Sequence, residues 1–559
     1  MSDRTTTEVR APLSGSAEAR RYDAIVVGAG LSGLYSLHRL REQGLRVLVL
    51  EAADNVGGTW LFNRYPGARC DIESVEYSYS FSAELQQEWS WAELLPGQPE
   101  IEAYLNFVAD RLDLRRDIRF DTRVVAMAFD EEDASWLVET AGGELFVAPF
   151  VVAATGILSA PLDPGIPGLD TFDGTVLFSN RFPREGFDLT GKRVAVVGTG
   201  STGVQAIPVV AEQAEHLYVF QRSAAYTLPS PARPYEPGEF EGLRSRYDEI
   251  RAAQRVAHVG AARTSAFSVL VDMAGFPALR TASREERLRA VEERGVLGAL
   301  YWSDVLVDPE AGRLATALYG EAVARIVRDP RTAASLVPTY PFGCKRPIID
   351  VGYYETFNRD NVTLVDLRAG AIEEITPTGI RTAQGSYDLD VILFATGFDA
   401  LTGALSRIDV RGRGGALLGD LWRDEGPVSY LGLQVAGFPN LFTIQGPGSP
   451  SAASNFLAAM EHHVEWIANC VAYLRDGGGS TIEALPSAQA EWIDEVLSFV
   501  TGSVLVHPDC NSWWNGANVP GKKRMYTTYV GGLPEYRRRC DEIAAGGDTG
   551  VRYSGFKIS

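Results

Sequence analysis

Two glycine-rich turns carry the first chemistry legible in the chain: Gly28-Ala29-Gly30-Leu31-Ser32-Gly33 and Gly198-Thr199-Gly200-Ser201-Thr202-Gly203. Each follows an apolar run, Ala24–Val27 or Val194–Val197, and leads into a helical pattern. In that context the glycines let backbone approach a pyrophosphate at a helix N-terminus. The residues downstream make the two sites different. Arg46–Leu50 reads as a second strand ending in Glu51, whose carboxylate can accept hydrogen bonds from the ribose hydroxyls of an unphosphorylated adenosine. Leu217–Phe220 ends instead in Gln221-Arg222-Ser223, a guanidinium and a hydroxyl where a carboxylate would repel a 2′-phosphate. The first site therefore reads as FAD and the second as NADPH. Two dinucleotides in one chain point to hydride transfer between them.

The elements that must hold these turns predict an α/β fold: two Rossmann-like dinucleotide-binding domains, for FAD and NADP, with a helical insertion. The expected organisation is a flexible N-terminal tail over 1–20, an FAD-binding part over 21–155 and an NADP-binding part over 156–225. A helical insertion follows over 226–337, then a second NADP-binding part over 338–390 and a second FAD-binding part with the C-terminal region over 391–559. The insertion is rich in Arg, Glu and Ala, as in Ser283–Arg294, and serves either packing or the shaping of a substrate entrance. Two similar segments, Val151–Gly156 and Ile392–Gly397, carry the chain out of the first unit and back. Gly446–Pro450, followed by a helix from about Ala453, would place a helix N-terminus near the flavin pyrimidine ring.

Composition bounds the rest. The chain has 559 residues, 45% hydrophobic and 22% charged, the balance of an ordinary globular protein. No apolar stretch approaches the roughly 18–20 residues that span a bilayer, and Met1–Arg20 lacks a secretory core. A net charge of −20 argues against a nucleic-acid partner and requires local arginines and amides to hold anionic cofactors. Five scattered cysteines, never spaced as CxxC, suit a reducing cytoplasm rather than a dithiol redox pair or a zinc site. His462-His463 is expected on opposite sides of a helix, and no metal site is expected.

Further motifs give the chain a resemblance to the flavin-containing Baeyer–Villiger monooxygenases, the phenylacetone and cyclohexanone monooxygenase group. They are Gly57-Gly58-Thr59-Trp60, Arg64–Asp71, Tyr340–Arg346, Ala395–Asp399 and Trp513–Lys522. The resemblance runs from Tyr22 to the C-terminus. It implies NADPH- and O₂-dependent insertion of one oxygen beside a ketone carbonyl through a C4a-peroxyflavin, giving an ester or lactone. It also implies that Arg346 is the catalytic arginine, a fixed cation for developing negative charge, and that Asp71 orients it. Arg69, Cys70, Asp71 and Lys345 match NADP contacts, Lys345 beside Arg222 at the 2′-phosphate. Thr59, Trp60, Asp71 and Tyr77 match flavin contacts, and Trp513 matches a mobile tryptophan that folds over NADP⁺. Taken alone, Lys345-Arg346 is a common surface dipeptide and Trp513-Trp514 reads as core; their motif context reverses both readings.

The chain departs from the group in one stretch. The signature F-x-G-x-x-x-H-x-x-x-W-P aligns with Phe172–Pro183, where histidine is Phe178 and tryptophan is Phe182. Ile157 stands where the phenylacetone enzyme has glutamine near the nicotinamide. Either phenylalanine packs in a linker and activity persists, or cofactor control changes towards peroxide leakage or heteroatom oxidation. Alternatives are an S- or N-oxygenase using hydroperoxyflavin, a disulfide reductase, which the missing CxxC opposes, and a flavoprotein with impaired turnover.

Overall fold

The computed structural model describes residues 19–263, 275–547 and 550–559, so most of the expected tail, 1–18, lies outside the described residues. The apolar run Ala24–Val27 is the centre of a parallel five-stranded sheet in the order Leu441–Thr443, Phe150–Ala153, Ala24–Val27, Val47–Leu50, Ile118–Arg119. A second parallel sheet runs Val362–Asp366, His216–Gln221, Arg193–Val197, Val391–Phe394, Thr175–Phe178. The central strands of both are buried on both faces, which is why they read as continuous Val/Ile/Leu runs rather than as alternations. Helices Leu31–Glu42 and Ser201–Gln213 follow the two glycine turns.

The insertion contains helix Arg284–Arg294, started by a capping box of Ser283 and Glu286, and the long helix Pro309–Ile326. The latter packs Ala311, Ala315, Tyr319 and Ala322 into the core of the second unit. Thr227–Pro229 interrupts the expected all-helical stretch because it pairs in parallel with Ile348–Asp350.

Three expectations are corrected. Val391–Phe394, placed at the start of a returning FAD part, pairs with Val194–Val197 and Thr175–Phe178, so this strand belongs to the second sheet. The helix expected from about Ala453 begins at Phe456. Ser451–Ala453 forms a separate 3-10 turn, and Asn455 caps the helix by accepting from the Leu457 amide at 3.1 Å. The third concerns cysteine: Cys344 and Cys510 are joined by a disulfide, with Cα atoms 5.4 Å apart, while Cys70, Cys470 and Cys540 are free and buried. The absence of CxxC spacing had no bearing on a bond between residues 166 positions apart.

The segments leaving the two sheets, 154–162 and 395–401, run side by side between the units. The amide of Leu162 donates to Gly397 O (3.0 Å), that of Asp399 to Ala160 O (2.8 Å) and that of Leu401 to Ile157 O (2.9 Å). His462 and His463 are both buried in helix Phe456–Tyr473. Burial, with Arg537 nearby, pushes His463 down to about 3. It stays neutral, with Nδ1 accepting the Gln445 amide at 3.2 Å. Among the described residues no cluster of His, Cys, Asp and Glu has metal-ligand geometry, and no helix is long and apolar enough to cross a membrane.

Candidate active site

The outer glycines of each turn are packed where no side chain fits. Gly28 has φ +106°, and a Cβ there would lie 2.6 Å from Ala154 O; a Cβ at Gly33 would lie 1.8 Å from Gly28 O. The second turn repeats this: a Cβ at Gly198 (φ +114°) would lie 2.4 Å from Ala395 O, and one at Gly203 would lie 2.0 Å from Gly198 O. The middle glycine Gly200 meets nothing within 4 Å, leaving the open face a pyrophosphate needs. Gly30 faces Gly58 instead: a Cβ there would lie 3.4 Å from the Gly58 Cα.

Glu51 is buried and tied to the first turn: Oε2 accepts from the Ala29 amide at 2.6 Å and Oε1 from Ala53 at 2.8 Å. Burial raises its pKa while these amides oppose the shift. Each oxygen keeps a lone pair for a ribose hydroxyl. Thr59 is exposed at the start of the short helix Thr59–Phe62. Trp60 Nε1 donates to the Tyr77 hydroxyl at 3.1 Å, and burial raises the pKa of that phenol.

Near the second turn, buried Thr199 donates from its hydroxyl to Ser223 O at 2.8 Å, while Ser201, Arg222 and Ser223 are exposed and Thr202 is half-buried. The Lys345 ammonium sits 4.5 Å from the centroid of the Tyr340 ring. Burial, and secondarily the Arg222 guanidinium, lower its pKa. Among the described residues neither cation has a carboxylate partner. Two neighbouring, uncompensated cations beside a glycine turn fit a terminal phosphate group.

A loop from the first unit completes the site by lying on the second unit's fingerprint helix. Tyr65 donates from its hydroxyl to Gln205 Oε1 at 2.8 Å, and Gln205 Nε2 donates to Arg69 O at 3.1 Å. A Cβ on Gly67 would fall 2.3 Å from Gln205 O, so only glycine permits this approach. The docked loop presents Asp71 to Arg346, whose Nε and Nη2 lie 2.9 and 2.6 Å from Asp71 Oδ2. The side chains are 29% and 20% exposed, in reach of solvent or ligand. Cys70 beside them is buried, which pushes its thiol pKa up and leaves it unreactive. Arg69 is engaged by Glu93 Oε2 (3.3 Å) and Leu95 O (3.4 Å), and no hydrogen bond joins it to Arg222 or Lys345.

Trp513 is half-buried at the start of a 3-10 turn, edge-on to buried Trp514 at 5.8 Å. Its loop docks on the crossover: Asn518 Nδ2 donates to Phe398 O at 2.8 Å, and Lys522 Nζ reaches Asp399 Oδ1 at 2.5 Å. The departing stretch is also well packed. Phe178 ends an edge strand, stacks on Phe394 at 5.4 Å and lies under the Arg181 guanidinium at 4.1 Å; Phe182 is buried. Sequence reasoning missed Gln205, the Asp399–Lys522 pair and Cys510. The available signal was that each lies within or beside a motif already singled out.

Two dinucleotide folds meeting at an arginine–carboxylate pair define a two-nucleotide flavoprotein. A family model described as "Flavin-binding monooxygenase-like" matches residues 21–236. The chain is 40% identical over 95% of its length to a Baeyer–Villiger monooxygenase of Pseudooceanicola batsensis, covering 96% of that protein. It is 38% identical over 92% of its length to the cyclohexanone 1,2-monooxygenase of an Acinetobacter species, covering 94% of it. An oxidised steroid monooxygenase solved with NADP superposes with a TM-score of 0.87 at 45% identity, covering 97% of this chain and 99% of that one. The chain belongs to the Baeyer–Villiger monooxygenases.

Proposed function

We propose that this protein is an FAD-containing, NADPH- and O₂-dependent enzyme that inserts one oxygen atom beside the carbonyl of a neutral organic ketone, giving an ester or lactone. The observation that carries the reading is the Asp71–Arg346 pair at the seam between the two dinucleotide units. FAD, reduced by NADPH, supplies O₂ activation when bound; the residues supply binding and charge. Glu51 and the first turn hold the flavin nucleotide, with Thr59, Trp60 and Tyr77 alongside. The second turn, Arg222, Ser223 and Lys345 hold NADPH through its 2′-phosphate, and Arg69 and Cys70 shape the loop between the two sites. Arg346 offers a cation that cannot lose its proton where negative charge develops on the reacting oxygen atoms. Asp71 fixes its orientation, which matters for a side chain with about 2 kcal/mol of rotamer entropy. Trp513 lies on a loop able to cover the nicotinamide side.

The deciding experiment is turnover with a panel of linear, cyclic, aryl and polycyclic ketones, recording oxygen uptake and product mass. A gain of one oxygen on ketones supports the reading. A gain only on sulfides or amines would replace it with heteroatom oxygenation.

A further inference from the structure

Cys344 immediately precedes Lys345 and Arg346, and Cys510 lies three residues before Trp513. The bond between them joins the segment carrying two of the site's cations to the C-terminal loop. Cys510 is also the organising point of that loop. Its carbonyl accepts from the Ser512 amide (3.1 Å), Asn515 Nδ2 (2.8 Å) and Arg524 Nη2 (2.8 Å). On the other side, a Cβ at Gly343 would lie 2.4 Å from Leu306 Cδ2 and 3.4 Å from Val504 Cγ2, so the Cys344 turn is wedged between the helical insertion and the C-terminal region. Three extended residues reach at most about 11 Å, which bounds how far Trp513 can travel from the anchored Cys510.

We infer that Cys344 and Cys510 are positioning residues: their cross-link holds the Trp513 loop against the Lys345–Arg346 segment and thereby strengthens the hold on NADP(H) within each turnover. This rests on the NADPH reading of the Arg222–Lys345 site. The link is reversible by thiol–disulfide exchange with a dithiol. One thiolate of the reductant attacks a protein sulfur, its second thiol resolves the mixed disulfide, and the two cysteines gain two electrons and two protons as the reductant closes to its own disulfide. Both protein sulfurs belong to fully buried residues, so exchange requires the loop to open. If reduction weakens NADP⁺ binding, linkage requires NADP⁺ to favour the cross-linked form in the same measure.

The test uses the holoenzyme. Alkylation after denaturation without reductant is expected to label three cysteines, Cys70, Cys470 and Cys540, and all five after dithiothreitol. NADP⁺ affinity, read by equilibrium binding, is expected to weaken about tenfold on reduction, and saturating NADP⁺ to slow the reduction. Cys510→Ser should show the weaker affinity with or without dithiothreitol, with KM for NADPH raised more than kcat is lowered. Five labelled cysteines in unreduced protein, or an affinity indifferent to reduction, would overturn the inference. NADP⁺ failing to bind either form, with the cross-link present by labelling, would instead remove the NADPH assignment and the inference with it.

Discussion

Replacing Asp71 by asparagine keeps the size and one oxygen acceptor of the side chain but removes its charge. Arg346 now makes two contacts to Asp71 Oδ2, at 2.9 and 2.6 Å, in a pair about a quarter exposed. The guanidinium still donates to the asparagine oxygen, so what is lost is the charge–charge part of the pair. For a partly exposed pair this falls between the roughly 0.2–1 kcal/mol of exposed pairs and the roughly 3–5 kcal/mol of buried ones, about 1–2 kcal/mol of orientation at Arg346. At about 1.4 kcal/mol per factor of ten, oxygenation is expected to slow roughly 5- to 30-fold. Rapid mixing separates the steps: anaerobic bleaching of the flavin by NADPH, then product formation on adding O₂. The loss should lie in the second step. Because Asp71 acts through Arg346, the same substitution in an Arg346→Ala background should not lower the small residual oxygenation rate further, while flavin reduction persists. Full product formation by folded Asp71→Asn, or additive losses in the double variant, would refute this account.

Other substitutions probe the remaining parts of the site. Arg222→Ala removes one charge-assisted contact to a 2′-phosphate, so KM for NADPH should rise about 10- to 100-fold while turnover with NADH barely changes. Lys345 has its pKa lowered by burial and by Arg222, so the free enzyme loses this cation below the ordinary lysine range. NADP⁺ affinity should therefore fall as pH rises towards that range, and Lys345→Arg should flatten the profile; an unchanged slope would count against the lysine. Because Phe178 is packed against Phe394 and Arg181, NADPH consumption should match ester or lactone formed, with little peroxide. Peroxide exceeding product would show that replacing the signature histidine did alter cofactor control.

The parts of this molecule that local pattern determines were legible in the sequence. A glycine turn between an apolar strand and a helix, and the residue ending the next strand, are neighbours in the chain, and the structure places Glu51 on the Ala29 amide beside its turn. Arg346 and Asp71 lie 275 residues apart and were paired only through family resemblance, because nothing local relates them. The strand Val391–Phe394 was misplaced for a related reason: a buried parallel strand has the same apolar run in either sheet, and only its partners decide. The Cys344–Cys510 bond and the seating of Gly67 on Gln205 depend on tertiary approach alone.

The crossovers between the units have a mechanical consequence. The carbonyl that fills the space under Gly28 belongs to Ala154, and the one under Gly198 belongs to Ala395, the residues from which the two crossovers depart. The paired segments 154–162 and 395–401 are thus anchored at both ends in the floors of the nucleotide turns. A side chain at Gly28 or Gly198 would displace the Ala154 or Ala395 carbonyl, and with it the root of one connecting segment as well as the nucleotide turn. One substitution would thus disturb a nucleotide site and the join between the units together.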